Sequence, residues 1–195
     1  MKLLTDATTP FGRKAIVAAR ERKIALDETF VSIDASLDQH NPLRQIPALV
    51  TDAGESLYDS DTILFYLDSL HDGESLFPCQ TRFVDLTRIA CANGLIEAVL
   101  QRTMESRRAD GEKSESEMAR LEQRAYRALG ALERQATALS SSTLSAADIT
   151  TACALEYTDF RLTDGWRDQA PALRDWLADV CERPSMTATR PTRAG

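Results

Sequence analysis

Three short stretches of this sequence carry residues that can do more than pack. The first is Asn41-Pro42-Leu43-Arg44-Gln45-Ile46-Pro47-Ala48-Leu49-Val50. Its last three residues are an apolar run that predicts a buried strand. Proline cannot donate to a sheet ladder, so Pro47 belongs at the strand's first residue, at an edge or at a bulge. A cis Ile46–Pro47 bond would turn the backbone sharply here and leave the N–H and C=O of Ile46 facing outward. An extended peptide could then pair with Ile46 as an added strand does. On this stretch alone, a proline that merely opens a strand is the simpler reading. The other two stretches, Thr9-Pro10 and Asp59-Ser60-Asp61, are helix-start signals. A helix N-terminus is locally positive and can receive an anion.

Other reactive chemistry is scarce. The four cysteines, Cys79, Cys91, Cys153 and Cys181, are scattered and form no C-x-x-C pair. They suggest neither a zinc site nor a redox dithiol, and no metal is expected. Free, mostly packed thiols suit a reducing compartment. His40 and His71 lie among polar and turn residues, where each is expected to be solvated. The net charge of -7 argues against nonspecific nucleic-acid binding. No apolar stretch approaches the length of a membrane span. The apolar segment in Met1–Asp6 is too short for a signal peptide. A cytoplasmic protein with no nucleic-acid or membrane partner is expected.

The elements that would position the three stretches follow from the pattern. Lys2–Thr5 reads as a strand. Thr9 fits an N-cap and Pro10 the first helical position, opening a helix to about Arg22. Thr29–Ile33 alternates as a strand, completing a βαβ unit. Ala35–Arg44 reads as a short helix or irregular turn. The Pro47 strand, a turn at Asp52-Ala53-Gly54 and a short strand at Glu55–Tyr58 read as an antiparallel hairpin. A helix from Asp59-Ser60-Asp61 to about Leu70 follows. The order βαβ, connector, ββα is a thioredoxin-like α/β arrangement.

Past about Thr81 the strand signals vanish. Phe83, Leu86, Ile89, Ala90, Leu95, Ile96, Val99 and Leu100 space as one long amphipathic helix. Glu112–Leu139 predicts a second. Ser145 through Asp148 is close to a capping box, with Leu144 and Ile149 placed as a hydrophobic staple. A last helix is expected over Pro171–Glu182, with Pro171 near its start and Pro184 just after its end. The chain thus divides into a thioredoxin-like segment over residues 1–76, a linker over 77–81 and an all-α segment over 82–195.

These motifs, in this order, resemble the soluble glutathione S-transferases over nearly the whole chain. The similarity is to the bacterial subgroup that opens with a Ser-Pro-Phe-x-Arg-Lys type motif, here Thr9-Pro10-Phe11-Gly12-Arg13-Lys14. Asn41-Pro42 through Ile46-Pro47-Ala48-Leu49-Val50, Tyr58-Asp59-Ser60, the box at Ser145–Asp148, and Pro171–Trp176 through Arg183-Pro184-Ser185 carry the rest of it. The resemblance implies glutathione as co-substrate, a small electrophile as its partner in the reaction, and a homodimer. It implies backbone pairing by Ile46 before Pro47, and contact with the γ-glutamyl carboxylate by Ser60 and with its ammonium by Asp59. Phe11 would face the site. Asp59 and Ser60 also make sense as helix caps.

Thr9 would be the catalytic residue. A transferase must lower the thiol pKa of glutathione, because the thiolate is the nucleophile. A hydroxyl at the first helix's N-terminus would stabilise that thiolate. The subgroup commonly has serine here; threonine keeps the hydroxyl and adds a methyl. Helix cap and thiolate donor remain open alternatives, with Thr8 as a fallback donor. Asp6 is unsuited, since a carboxylate disfavours a nearby thiolate. No cysteine lies in Asp6–Lys14, which argues against thiol exchange by a protein cysteine there. Phe11, Asn93, Ile96, Leu100, Met104 and Arg107 are candidate lining residues for the electrophile. Arg102, Arg107 and Arg108 either favour an acidic substrate or form a solvated face. A non-catalytic or regulatory binding protein on the same fold, or a glutathione-dependent peroxidase, are the alternative functions.

Overall fold

The computed structural model describes residues 1–162 and 165–191. Residues 163–164 and 192–195 of the expected all-α segment lie outside the described residues. The first half is strand β1 (Lys2–Thr5), helix α1 (Pro10–Glu21), strand β2 (Asp27–Phe30), a short 3-10 helix (Ala35–Gln39), strands β3 (Ala48–Val50) and β4 (Ser56–Leu57), and helix α2 (Ser60–Asp68). The sheet order is β2-β1-β3-β4. β1 pairs parallel with β2 and antiparallel with β3, and β3 pairs antiparallel with β4. This is the thioredoxin-like arrangement.

β2 corrects the sequence reading. It begins at Asp27, not Thr29, because Lys2 of β1 pairs with Asp27 and Thr5 with Phe30. The alternation over Thr29–Ile33 is an edge pattern, and Phe30 and Ile33 are exposed. Asp52-Ala53-Gly54 does turn the chain between β3 and β4, with Gly54 at φ +85, a conformation that favours glycine.

The second half is helical: α3 (Arg82–Ser106), α4 (Glu115–Glu133), α5 (Ala146–Arg161), α6 (Trp166–Gln169), α7 (Pro171–Cys181) and α8 (Pro184–Thr187). α4 is shorter than expected; a 3-10 turn at Ala136–Ala138 follows it. Pro184 lies just beyond the end of α7, as expected, and opens a further helix at its first position, where a missing N–H costs nothing. α3 packs against α4 and α5, and α5 also packs against α1. α5 is buried almost all round from Ala146 to Thr158, as suits the central helix of a bundle. Its capping box is complete. Ser145 Oγ accepts the Asp148 N–H at 3.2 Å, and Asp148 Oδ2 accepts the Ser145 N–H at 2.9 Å. Burial pushes the Asp148 carboxyl up, against these donors. On α3, Phe83 at 81% and Leu100 at 36% are exposed rather than packed.

Helix α1 joins the two halves through charges. Arg13 Nη2 lies 2.5 Å from Glu156 Oε2 of α5 and donates to the Met186 carbonyl at 3.1 Å. Arg13 Nε donates to Thr189 Oγ1 at 3.1 Å. Glu21 accepts Arg183 Nη2 at 2.5 Å and the Ser185 hydroxyl. His71 is also less solvated than its neighbours suggest. Its side chain is 13% exposed beside Asp68, and its Nδ1 accepts the Gly73 N–H at 2.9 Å. His40 is partly buried, with Nδ1 3.1 Å from Ser56 Oγ.

Candidate functional site

The sheet register gathers the three stretches at one edge. Leu4, near the end of β1, pairs with Ala48 at the start of β3. Leu49 pairs with Leu57 at the end of β4. The turn into α1, the Ile46-Pro47 entry to β3 and the turn into α2 therefore lie side by side. Chain direction alone places two helix N-termini next to one proline turn.

At the α1 turn, Asp6 organises the backbone. Its Oδ1 accepts the N–H of Thr8 and of Thr9, each at 2.6 Å, and the Thr8 hydroxyl at 3.2 Å. Thr9 occupies the N-cap position, yet its side chain makes no cap hydrogen bond. The cap reading thus holds for its backbone and not for its hydroxyl. Gly12 follows one turn on. A Cβ there would meet Thr5 Oγ1 at 2.0 Å and Thr9 Cγ2 at 2.8 Å. Glycine lets the threonine methyl lie against the helix.

The Ile46–Pro47 bond is cis. Neither the N–H nor the C=O of Ile46 takes part in a backbone hydrogen bond among the described residues. The loop before it is held by its own side chains. Asn41 Nδ2 donates to the Gln45 carbonyl at 2.8 Å, and Arg44 pairs with Asp38 at 2.5 Å.

At the α2 turn, the Tyr58–Asp59 bond is also cis. Asp59 Oδ1 accepts the N–H groups of Asp61 and Thr62 at 3.1 and 3.2 Å, so Asp59 is the cap. Ser60 is 5% exposed, and no hydrogen bond engages its hydroxyl or its N–H among the described residues.

Behind this edge sits a group that sequence reading did not single out. Lys14 of α1 is fully buried at its side chain and lies 2.5 Å from Asp61 Oδ1. It also donates to Asn93 Oδ1 of α3 at 3.0 Å, and Asn93 Nδ2 donates to Asp61 Oδ2 at 2.8 Å. Burial pushes the Lys14 ammonium below its ordinary value, against the opposing pull of Asp61. The Nζ is 5.7 Å from the centre of the Phe11 ring.

The expected lining of the cleft divides. Asn93 is committed to Asp61 and Lys14. Ile96 does not line a cleft, because it is fully buried in the helical core. Leu100 and Met104 are exposed on α3, and Arg107 is exposed at its C-cap. Arg102 pairs with Glu122 and Arg108 with Glu105. Tyr157 and Arg161 of α5 were not anticipated. The Arg161 guanidinium lies 4.2 Å over Phe160 and 5.5 Å over Tyr157. Burial pushes the Tyr157 phenol up; Arg161 and Arg107 pull it down and Asp6 pushes it further up. Burial likewise raises the Cys153 thiol to about 11. Among the described residues, no group of three or more His, Cys, Asp or Glu side chains could hold a metal ion. No helix among them is long and apolar enough to cross a membrane.

The comparisons agree with this geometry. The family model for the glutathione S-transferase N-terminal domain matches residues 8–70, and that for the C-terminal domain matches residues 115–179. An uncharacterized GST-like protein of Escherichia coli, YibF, is 30% identical over 204 residues, with all of both chains covered. A glutathione transferase family member from Pseudomonas fluorescens Pf-5, solved with bound glutathione, is 38% identical at a TM-score of 0.91, covering 98% of this chain and 99% of its own. A Pseudomonas fluorescens family member with bound S-(propanoic acid)-glutathione is 37% identical at a TM-score of 0.87, covering 99% and 100%. With the sheet, its proline turn and the helical half all accounted for along its length, the chain belongs to the glutathione S-transferase family.

Proposed function

We propose that this protein binds glutathione and adds its thiolate to a small electrophile. The observation that carries the reading is a pair of unengaged hydroxyls, Thr9 and Ser60, at the N-termini of α1 and α2, beside the unpaired backbone of Ile46. Ile46 would pair with the cysteinyl unit as an added strand does. Ser60 would receive the γ-glutamyl carboxylate and Asp59 its ammonium. Thr9 would donate to the thiolate, aided by the α1 dipole. Pro47 shapes the turn, and Phe11 flanks it on α1.

The electrophile would sit between α1, α3 and the end of α5. The relative that holds S-(propanoic acid)-glutathione supports an electrophile that carries a carboxylate, and Arg107 and Arg161 supply cations for it. A homodimer is part of the same reading. The exposed Phe83 and Val84 at the start of α3 support it, and light scattering tests it. So are a cytoplasmic location, a detoxifying role, membership of the Ser/Thr-Pro-Phe-x-Arg-Lys subgroup, and the division into residues 1–76 and 82–195. That division is supported by the gap between the end of α2 at Asp68 and the start of α3 at Arg82.

Titration calorimetry with glutathione tests the reading. Saturable binding is expected, followed by a bound thiol whose ultraviolet thiolate absorbance develops at lower pH than in free glutathione. Absence of binding sinks the proposal. Binding without a lowered thiol pKa leaves a glutathione-binding protein that does not activate its ligand.

A further inference from the structure

The first turn of α2 presents an electrostatic problem. Asp59 and Asp61 flank Ser60, and both are carboxylates. Two negative charges would repel an anion arriving at the Ser60 hydroxyl and N–H. Asp59 spends one oxygen on the N–H groups of Asp61 and Thr62. Asp61 has its oxygens on Lys14 and Asn93, and Lys14 in turn reaches Asn93. Three side chains from α1, α2 and α3 thus close a ring.

We propose that Lys14 is the counter-charge that keeps the α2 N-terminus receptive to the glutamyl carboxylate, by neutralising the Asp61 carboxylate and holding it inward. This rests on the glutathione-binding function proposed for the protein. Lys14 Nζ lies 2.5 Å from Asp61 Oδ1, and the pair carries no net charge whichever partner holds the proton. Burying an ammonium is expensive, and an apolar side chain of the same volume often packs as well or better. A device that only fastened α1 to α2 would not need the charge. One that cancels Asp61 beside an anion site does. Lys14 is a positioning residue on this account; it touches no reacting atom.

The test measures affinity of the full chain for two ligands. One is glutathione; the other is the analogue whose glutamyl α-carboxylate is a carboxamide. Lys14→Met should weaken glutathione binding at least tenfold and the carboxamide less than threefold. Lys14→Met/Asp61→Asn should return glutathione binding to within threefold of wild type. Equal losses for both ligands, or a double variant as weak as Lys14→Met, overturn the proposal. If Lys14→Met does not fold, the neutral double variant is compared with wild type directly. A tenfold loss of glutathione there overturns it; a change within threefold upholds it. Failure of wild type to bind glutathione would instead remove the functional reading itself.

Discussion

Thr8 gives its hydroxyl to the Asp6 carboxylate at 3.2 Å. The adjacent Thr9 hydroxyl is uncommitted, with no cap bond into α1. This separates two donors that sequence alone left side by side. Thr9→Val should raise the pKa of bound glutathione by roughly one to two units, the equivalent of one hydrogen bond to a charged group. Glutathione affinity at a pH where the thiol is protonated should hardly change. Thr8→Val should leave the thiol pKa in place. Absorbance titration of the bound thiol reads both. An unmoved pKa in Thr9→Val would reduce that residue to a backbone cap.

Ser60 and Asp59 should separate in the same way. Asp59 does the capping, so Ser60→Ala should leave the melting temperature unchanged. It should weaken glutathione binding by roughly 1–3 kcal/mol through loss of a donor to a carboxylate. Asp59→Ala should lower stability by about 1 kcal/mol as well as affinity. Calorimetry paired with denaturant melts distinguishes them, and a destabilised Ser60→Ala of normal affinity would contradict the assignment.

Glu21 gives the fold a dependence on acid. Burial pushes its carboxyl up, but hydrogen bonds from Arg183 and Ser185 outweigh this, and its pKa lies below the ordinary 4.5. The folded state therefore binds this proton less readily than the unfolded chain. The stabilisation is complete above pH 4.5 and is lost as pH falls through the lowered folded value. Glu21→Gln should accordingly be less stable than wild type at pH 7, and the gap should narrow below about pH 4. Urea melts at the two pH values report it. A gap that widens in acid would show the sign to be wrong.

The acidic-electrophile reading makes a chemical prediction. Glutathione thiolate adding to acrylate forms a carbon–sulfur bond at the β-carbon, and a proton goes to the α-carbon. If Arg107 and Arg161 face the acid, replacing both by methionine should lower turnover of acrylate at least tenfold relative to acrylamide. That is on the order of 1.5 kcal/mol, the worth of one charge-assisted hydrogen bond. Equal effects on the two electrophiles would remove the arginines from substrate choice.

Much of this site was legible in the sequence because its signals are local. Thr9-Pro10, Ile46-Pro47, Asp59-Ser60 and Ser145–Asp148 each announce a turn or a cap within a single short window. The register of β1, β3 and β4 then assembles them with no further instruction. The buried charges were not legible. Lys14 and Asp61 lie 47 residues apart, and Arg13 and Glu156 lie 143 apart. A hydrophobic pattern marks such residues as solvent-facing, since burial of charge depends on a partner that no local window contains. Phe83 failed in the opposite sense. Its helical spacing is right, but it stands in the first turn of α3 with its side chain exposed.

The clamps on α1 also bear on the order in which the molecule can be completed during synthesis. Arg13 waits for Thr189, which lies 176 residues further along, and Glu21 waits for Arg183, 162 residues on. A ribosome delivers the whole sheet domain long before either partner emerges. Until then, α1 must hold those charges in water or leave them unpaired against the sheet's cover. The helix that opens the proline-turn edge of the sheet is therefore among the first elements made and among the last to be secured.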